Sequence, residues 1–129
     1  MRRHVRLSGL AWLALLAALV AGCADKRDVE LQQRAIGGDP DRGEAAIATY
    51  GCGACHQIRG IPGAVGEVGP PLASMADRVL IAGRLPNTPD NLMRWIQHPQ
   101  TVKPGTVMPD LQVSDADARD IAIYLYSLR

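Results

Sequence analysis

Six consecutive residues, Gly51-Cys52-Gly53-Ala54-Cys55-His56, constrain this chain more than any other feature. Two cysteines three positions apart fall on one face of a helical turn, and a histidine follows the second directly. Such a turn can offer two sulfurs and an imidazole to the same side of one bound group. The residues between the thiols, Gly53 and Ala54, are small enough to let the backbone approach that group closely.

Three chemistries use such a turn. A structural zinc site needs about four Cys or His ligands. Past the first 22 residues the chain offers only Cys23 and His98 besides the motif itself. A thioredoxin-like redox pair belongs beside a strand–helix unit, and no β-rich pattern flanks this one. The third chemistry fits without remainder: C-x-x-C-H is the attachment signature of c-type haem. Cys52 and Cys55 would bond the two vinyl groups of one porphyrin, and His56 would reach the iron. The chain has three cysteines in all, so none is left for a disulfide once Cys23 has a use of its own.

That use is readable at the N-terminus. Arg2, Arg3 and Arg6 form a positive region, Leu10 to Val20 an apolar run, and Ala21-Gly22 a pair of small residues. The run is too short for a comfortable membrane span, so residues 1–22 are expected to be a secretory signal peptide rather than a retained anchor. Val20-Ala21-Gly22-Cys23 resembles the lipobox of bacterial lipoproteins, which implies that Cys23 carries lipid and becomes the first residue of the mature chain. The competing reading is a chance cysteine after an ordinary cleavage site. Acyl chains contribute roughly 0.8 kcal/mol per buried methylene, and stable anchoring takes two or more of them. The mature protein is therefore expected outside the cytoplasm, in the periplasm or an equivalent space, held to a membrane. Residues 23–38 turn polar and end in Gly37-Gly38, as a flexible tether would, although Val29 to Ile36 has weak helical spacing.

The remainder, residues 39–129, reads as one domain. Asp39 with Pro40 predicts a helix start, running to about Tyr50. A Gly/Pro-rich loop comes next, with a short helix predicted over Pro71 to Leu80. Thr88 with Pro89 opens another helix, which Pro99 ends. Ser114 and Asp117 form a capping box for a last helix to about Leu128, with Ile121, Tyr124, Leu125 and Leu128 as its apolar stripe. No segment alternates convincingly. The fold is expected to be all-α, three to five short helices and long loops wrapped around one covalently attached haem.

A second axial ligand has four candidates past the tether: Met75, Met93, His98 and Met108. Met108 lies in Lys103-Pro104-Gly105-Thr106-Val107-Met108-Pro109, where two prolines and a glycine stiffen the backbone and suit a held thioether. Met75 and Met93 sit in helix-like segments, where filling the core is the default role. His98 precedes Pro99 at a helix end and has a solvated or capping role as its default. An open iron site is the remaining alternative.

In this order the residues resemble class I cytochrome c, over about Asp39 to Arg129. C-x-x-C-H comes first, then Gly69-Pro70-Pro71-Leu72, a helix bearing Trp95, the Pro104-Gly105-Thr106-Val107-Met108 loop and a final helix. The resemblance implies that the Pro70 carbonyl orients His56, that Leu72 packs on the haem and that Trp95 lies beside the ligand sulfur. It also implies a hydrogen bond from Thr106 to a haem propionate. The run Arg84 to Pro89 is similar to bacterial cytochromes associated with terminal oxidases. Arg84 is a candidate propionate partner, with a solvated surface arginine as the alternative. The chain departs from the family in lacking Phe altogether, which leaves the detail of the first helix crossing open.

The function so implied is electron transfer in a respiratory chain, not catalysis. Partners would be redox proteins or an oxidase or dehydrogenase complex of a respiratory membrane. The alternative is a haem enzyme or gas sensor with an open or labile distal site. The formal charge of +1 includes three signal-peptide arginines; from Cys23 onward eleven Lys/Arg face thirteen Asp/Glu. No basic block or aromatic-studded basic stripe is present, so nucleic acid as a partner has no support.

Overall fold

A computed structural model describes Leu31 and residues 35–128. The expected signal peptide, Cys23 and most of the expected tether lie outside the described residues. Leu31 belongs to one compact unit and residues 32–129 form another, which holds the C-x-x-C-H motif.

Among the described residues from Asp39 on, four α-helices carry this second unit: α1 Pro40–Thr49, α2 Pro89–Gln97, α3 Pro99–Val102 and α4 Asp115–Ser127. Three of the starts are set by a side chain that satisfies an orphan amide. The Asp39 carboxylate accepts from the Asp41 and Arg42 amides at 2.9 and 3.2 Å. Thr88 accepts from the Asn91 amide at 3.3 Å. Ser114 accepts from the Asp117 amide at 3.1 Å. The Asp117 carboxylate does not return to the Ser114 amide, as a full capping box would. It accepts from Ser114 Oγ and from the Tyr50 hydroxyl, both at 2.8 Å, so the cap also ties α4 to the end of α1.

The structure departs from expectation in the middle of the chain. The helix predicted over Pro71 to Leu80 shrinks to a single 3₁₀ turn, Met75–Asp77. Ser74 before it is left-handed, with φ 54°, and Arg78 after it is already extended. The chain then forms a small antiparallel hairpin, β1 Leu80–Ile81 and β2 Leu85–Pro86, pairing Leu80 with Pro86 and Ile81 with Leu85. Its turn has two left-handed residues, Ala82 at φ 53° and Gly83 at φ 68°, and closes with the Arg84 amide on the Ile81 carbonyl at 2.9 Å. Two adjacent positive φ values give the twist that joins right-twisted strands tightly. Pro99 does end α2, because the residue before a proline leaves the helical region. His98 sits at φ −132°, ψ 56°, and the chain re-enters helix for one further turn, α3.

The core forms where α1 crosses α4. Gly43 makes the crossing possible: a Cβ there would lie 2.9 Å from Tyr124 Cβ and 2.6 Å from the Asp120 carbonyl carbon. Ala46 and Ile47 fill one side of the crossing. The buried surface of α4 is wider than a single stripe, running through Ala118 and every residue from Asp120 to Tyr126. This helix packs against α1, α2 and the Met75 turn at once, so little of its circumference remains for solvent. Ahead of α1, Ala35 and Ile36 are helical and Ile36 packs half-buried on the core.

Candidate functional site

The haem motif lies directly after α1. Gly51, at φ 69°, turns the chain out of the helix. The 3₁₀ turn Cys52–Ala54 then brings the Cys55 and His56 amides onto the Cys52 carbonyl at 3.2 and 3.1 Å. Both cysteines are half-buried and neither is in a disulfide. Burial, with a smaller contribution from Cys55, pushes the Cys52 thiol up. A redox-active C-x-x-C pair needs the reverse, a thiol held low. Gly53 approaches the loop after the motif: a Cβ on it would lie 2.7 Å from Ala64 Cβ. Gly66 comes equally close, and a Cβ there would be 2.5 Å from the Cys55 carbonyl carbon. The small residue between the thiols thus serves loop packing as well as any bound group.

His56 is held from the side by the Gly69–Leu72 loop. Its Nδ1 stands 2.8 Å from the Pro70 carbonyl oxygen. A carbonyl only accepts, so Nδ1 carries a proton, and in the neutral ring Nε2 is the nitrogen with the lone pair. The loop is pinned to the motif by the Gly69 amide on the Cys55 carbonyl at 2.8 Å and by the Leu72 amide on the Gln57 carbonyl at 2.9 Å. Gly69 lies flat on the imidazole: a Cβ would be 2.6 Å from Nδ1 and 2.9 Å from Nε2.

Residues not singled out in the sequence brace this loop from behind. The Arg78 guanidinium donates to the Pro71 carbonyl and, at 3.4 Å, to that of Ala73. Asn87 Nδ2 donates to the Met75 and Arg78 carbonyls at 2.8 and 2.7 Å. The Asn87 Oδ1 accepts the Tyr126 hydroxyl at 2.8 Å, which joins the brace to α4. Burial pushes Tyr126 up to about 12. Asn87 stood in view in the Arg84 to Pro89 run, but its partners are 9 to 39 positions away and left no local trace.

Met108 is half-buried in the loop after α3. Gln100, on α3, donates from one amide nitrogen to the Thr106 carbonyl at 2.8 Å and to the Met108 carbonyl at 2.9 Å. Thr106 Oγ1 accepts from the Met108 amide at 3.4 Å, a long contact. Trp95 and Leu72 are half-buried and pack against the core. Arg84 is exposed at the hairpin turn. Of the other ligand candidates, Met75 lies in the core, Met93 packs half-buried against it, and His98 sits exposed between α2 and α3.

This donor set suits a c-type haem: two thiols on one turn outside any disulfide, an imidazole whose Nδ1 is engaged by the Pro70 carbonyl, and a methionine in a loop held by Gln100. Among the described residues no group of three or more His, Cys, Asp or Glu is placed to hold a bare metal ion. Two shallow concavities flank α1, one lined by Glu44 and Ile61 and the other by Thr49 and Asp117, and no motif residue lines either.

Residues 40–129 match the family model for cytochrome c, and the chain belongs to that family. Two relatives are each a cytochrome c oxidase subunit 2. That of Alkalihalophilus pseudofirmus is 34% identical over 90 residues, covering 69% of this chain and 25% of the relative. That of Bacillus sp. (strain PS3) is 32% identical over 88 residues, covering 65% and 25%. The chain thus spans about a quarter of the length of the curated relatives it matches. No solved structure gave a significant match. The class I cytochrome c fold and an electron-transfer role with covalently bound haem c accord with membership.

Proposed function

We propose that this chain is a membrane-tethered, mono-haem electron carrier, bonded to one haem c through Cys52 and Cys55, with His56 and Met108 as the axial iron ligands. The observation that carries the ligand assignment is the pairing of His56 Nδ1 with the Pro70 carbonyl at 2.8 Å, which leaves Nε2 as the coordinating atom. When bound, the haem supplies a one-electron iron couple. With His56 and Met108 both on the iron, no coordination site would be left for a substrate, which favours a carrier over an enzyme.

Lipid on Cys23 would hold the domain at the outer face of a respiratory membrane. Among the described residues no helix is long and apolar enough to cross a membrane. The two relatives are named as oxidase subunits, which favours a terminal oxidase as the neighbour that takes the electron. A tether would raise the effective concentration at that neighbour without new contacts. Trp95 and Leu72 serve as pocket walls and Thr106 and Arg84 as propionate partners in this reading.

Mass and optical spectra of the exported protein test it. One haem and one lipid adduct are expected, with a ferric spectrum carrying the weak red charge-transfer band of thioether-ligated iron. Met108→Ala should lose that band, bind carbon monoxide in the ferrous state and show a lower potential. An unchanged spectrum in Met108→Ala would remove Met108 as the ligand.

A further inference from the structure

We infer that Gln100 is a clamp that keeps Met108 on the iron, a positioning residue acting through two backbone carbonyls of the ligand loop. This rests on the reading of His56 and Met108 as the axial ligands. It is carried by a contrast in how the two ligand loops are held.

The His56 loop is held redundantly. Two backbone hydrogen bonds pin it to the motif, and Arg78 and the Asn87–Tyr126 pair support it from behind. The Met108 loop has no such redundancy. Within it, the Thr106 amide reaches the Lys103 carbonyl at 3.1 Å and the Met108 amide reaches Thr106 Oγ1 at 3.4 Å, both local contacts. Among the described residues, Gln100 is the one side chain from outside the loop that reaches it by hydrogen bonds, to carbonyls on either side of Val107. One amide nitrogen thus uses both protons to hold the 106–107 and 108–109 peptide planes, the second of which adjoins the Met108 Cα directly. Gln100 is itself exposed. A clamp at the surface opens more readily than one in the core, so the rate at which the thioether leaves the iron should be governed there.

Gln97 provides a matched comparison. It is also a helical glutamine, and its amide donates to the Val113 carbonyl at 3.3 Å and to Asp115 Oδ1 at 2.7 Å. Those partners lie beyond the ligand loop, at the start of α4. Removing either amide costs hydrogen bonds of similar kind, but only Gln100 touches the loop.

The test uses the ferric holoprotein with imidazole as the displacing probe, monitored by loss of the red charge-transfer band. At saturating imidazole the rate reports loop opening alone. In Gln100→Leu and in the isosteric Gln100→Glu, which has no amide donor, this limiting rate is expected to rise about thirtyfold, the central value for the loss of two net hydrogen bonds. In Gln97→Leu it should stay within about twofold of wild type. Equal rates in Gln100→Leu and wild type would overturn the clamp, as would an equal rise in Gln97→Leu. Retention of the band in Met108→Ala would instead overturn the ligand assignment, and the clamp with it.

Discussion

Arg42 Nε stands 2.8 Å from Asp120 Oδ2, joining an exposed side chain of α1 to a carboxylate of α4 that is only 4% exposed. The other carboxylate oxygen accepts the Asp39 amide at 2.7 Å and Arg42 Nη2 at 3.2 Å. Three donors converge on one buried anion, and they fix the helix crossing at which Gly43 lets the backbones meet. Asp120→Asn keeps the shape but gives up charge-assisted acceptance, worth about 2 kcal/mol. For a domain of this size the midpoint of thermal unfolding should fall by roughly 10 °C. An unchanged midpoint, measured on holoprotein by circular dichroism, would show that the crossing holds without the anion.

The same carboxylate predicts an acid dependence. Burial alone would push the Asp120 carboxyl up, but the Arg42 hydrogen bond, the Asp39 amide and the guanidinium charge outweigh it and leave it below its ordinary value. An acid whose folded value is depressed stabilises the fold above its unfolded value of about 3.9 and loses that contribution as pH falls through the folded one. The stability gap between wild type and Asp120→Asn should therefore be constant from neutral pH down to about 5. It should close below about 4. A gap that persists unchanged into stronger acid would contradict the assignment.

What the sequence made legible is what short-range chemistry writes. Asp39-Pro40, Thr88-Pro89 and Ser114 each mark a helix start because the cap and the amide it satisfies are two or three residues apart. The haem motif is legible for the same reason. The β1–β2 hairpin is not, since strands of two residues have no period, and an Ala-Gly turn lacks the Asn-Gly or Asp-Gly signal that marks such a connection. Nor is the buried role of Asp120, whose partner Arg42 is 78 positions away. Gln100 is an intermediate example. Its acceptors are only six and eight residues ahead, yet a glutamine after a proline has no pattern that says which carbonyls it will reach.

Tyr126 predicts the behaviour at the alkaline end. Its hydroxyl is buried against Asn87 Oδ1, and burial pushes it up to about 12. A phenol whose folded value lies above the unfolded value of about 10 contributes stability in full below the lower of the two and loses it as pH rises through the higher. Tyr126→Phe should cost about 1 kcal/mol at neutral pH through the lost hydrogen bond and the stranded Asn87 acceptor. The wild-type advantage should shrink from about pH 10 and reverse before about pH 12, read by denaturant melts at each pH. A wild-type advantage that persists or increases across that window would mean the hydroxyl is not buried as described.

Gly69 and His56 give the sharpest prediction about the iron. The imidazole has no room for a side chain at position 69, where a Cβ would sit 2.6 Å from Nδ1. In Gly69→Ala either the ring tilts or the loop lifts, and both lengthen the 2.8 Å contact to the Pro70 carbonyl. With His56 on the iron as proposed, that contact would make the imidazole a stronger electron donor, because an Nδ1–H engaged with a carbonyl raises the basicity of Nε2. A weaker donor favours the ferrous over the ferric ion, so the reduction potential should rise. The yield of mature holoprotein should fall as well, by roughly tenfold if the ring loses its orientation as other supported metal ligands do. Gly83→Ala is the comparison: it sits at φ 68° with nothing within 4 Å of an added Cβ, so it carries backbone strain without touching the site. Potentiometric titration of both variants separates the two effects. A raised potential in Gly69→Ala with a wild-type potential in Gly83→Ala is the expected result, and equal potentials in Gly69→Ala and wild type would show that the Pro70 carbonyl does not tune His56.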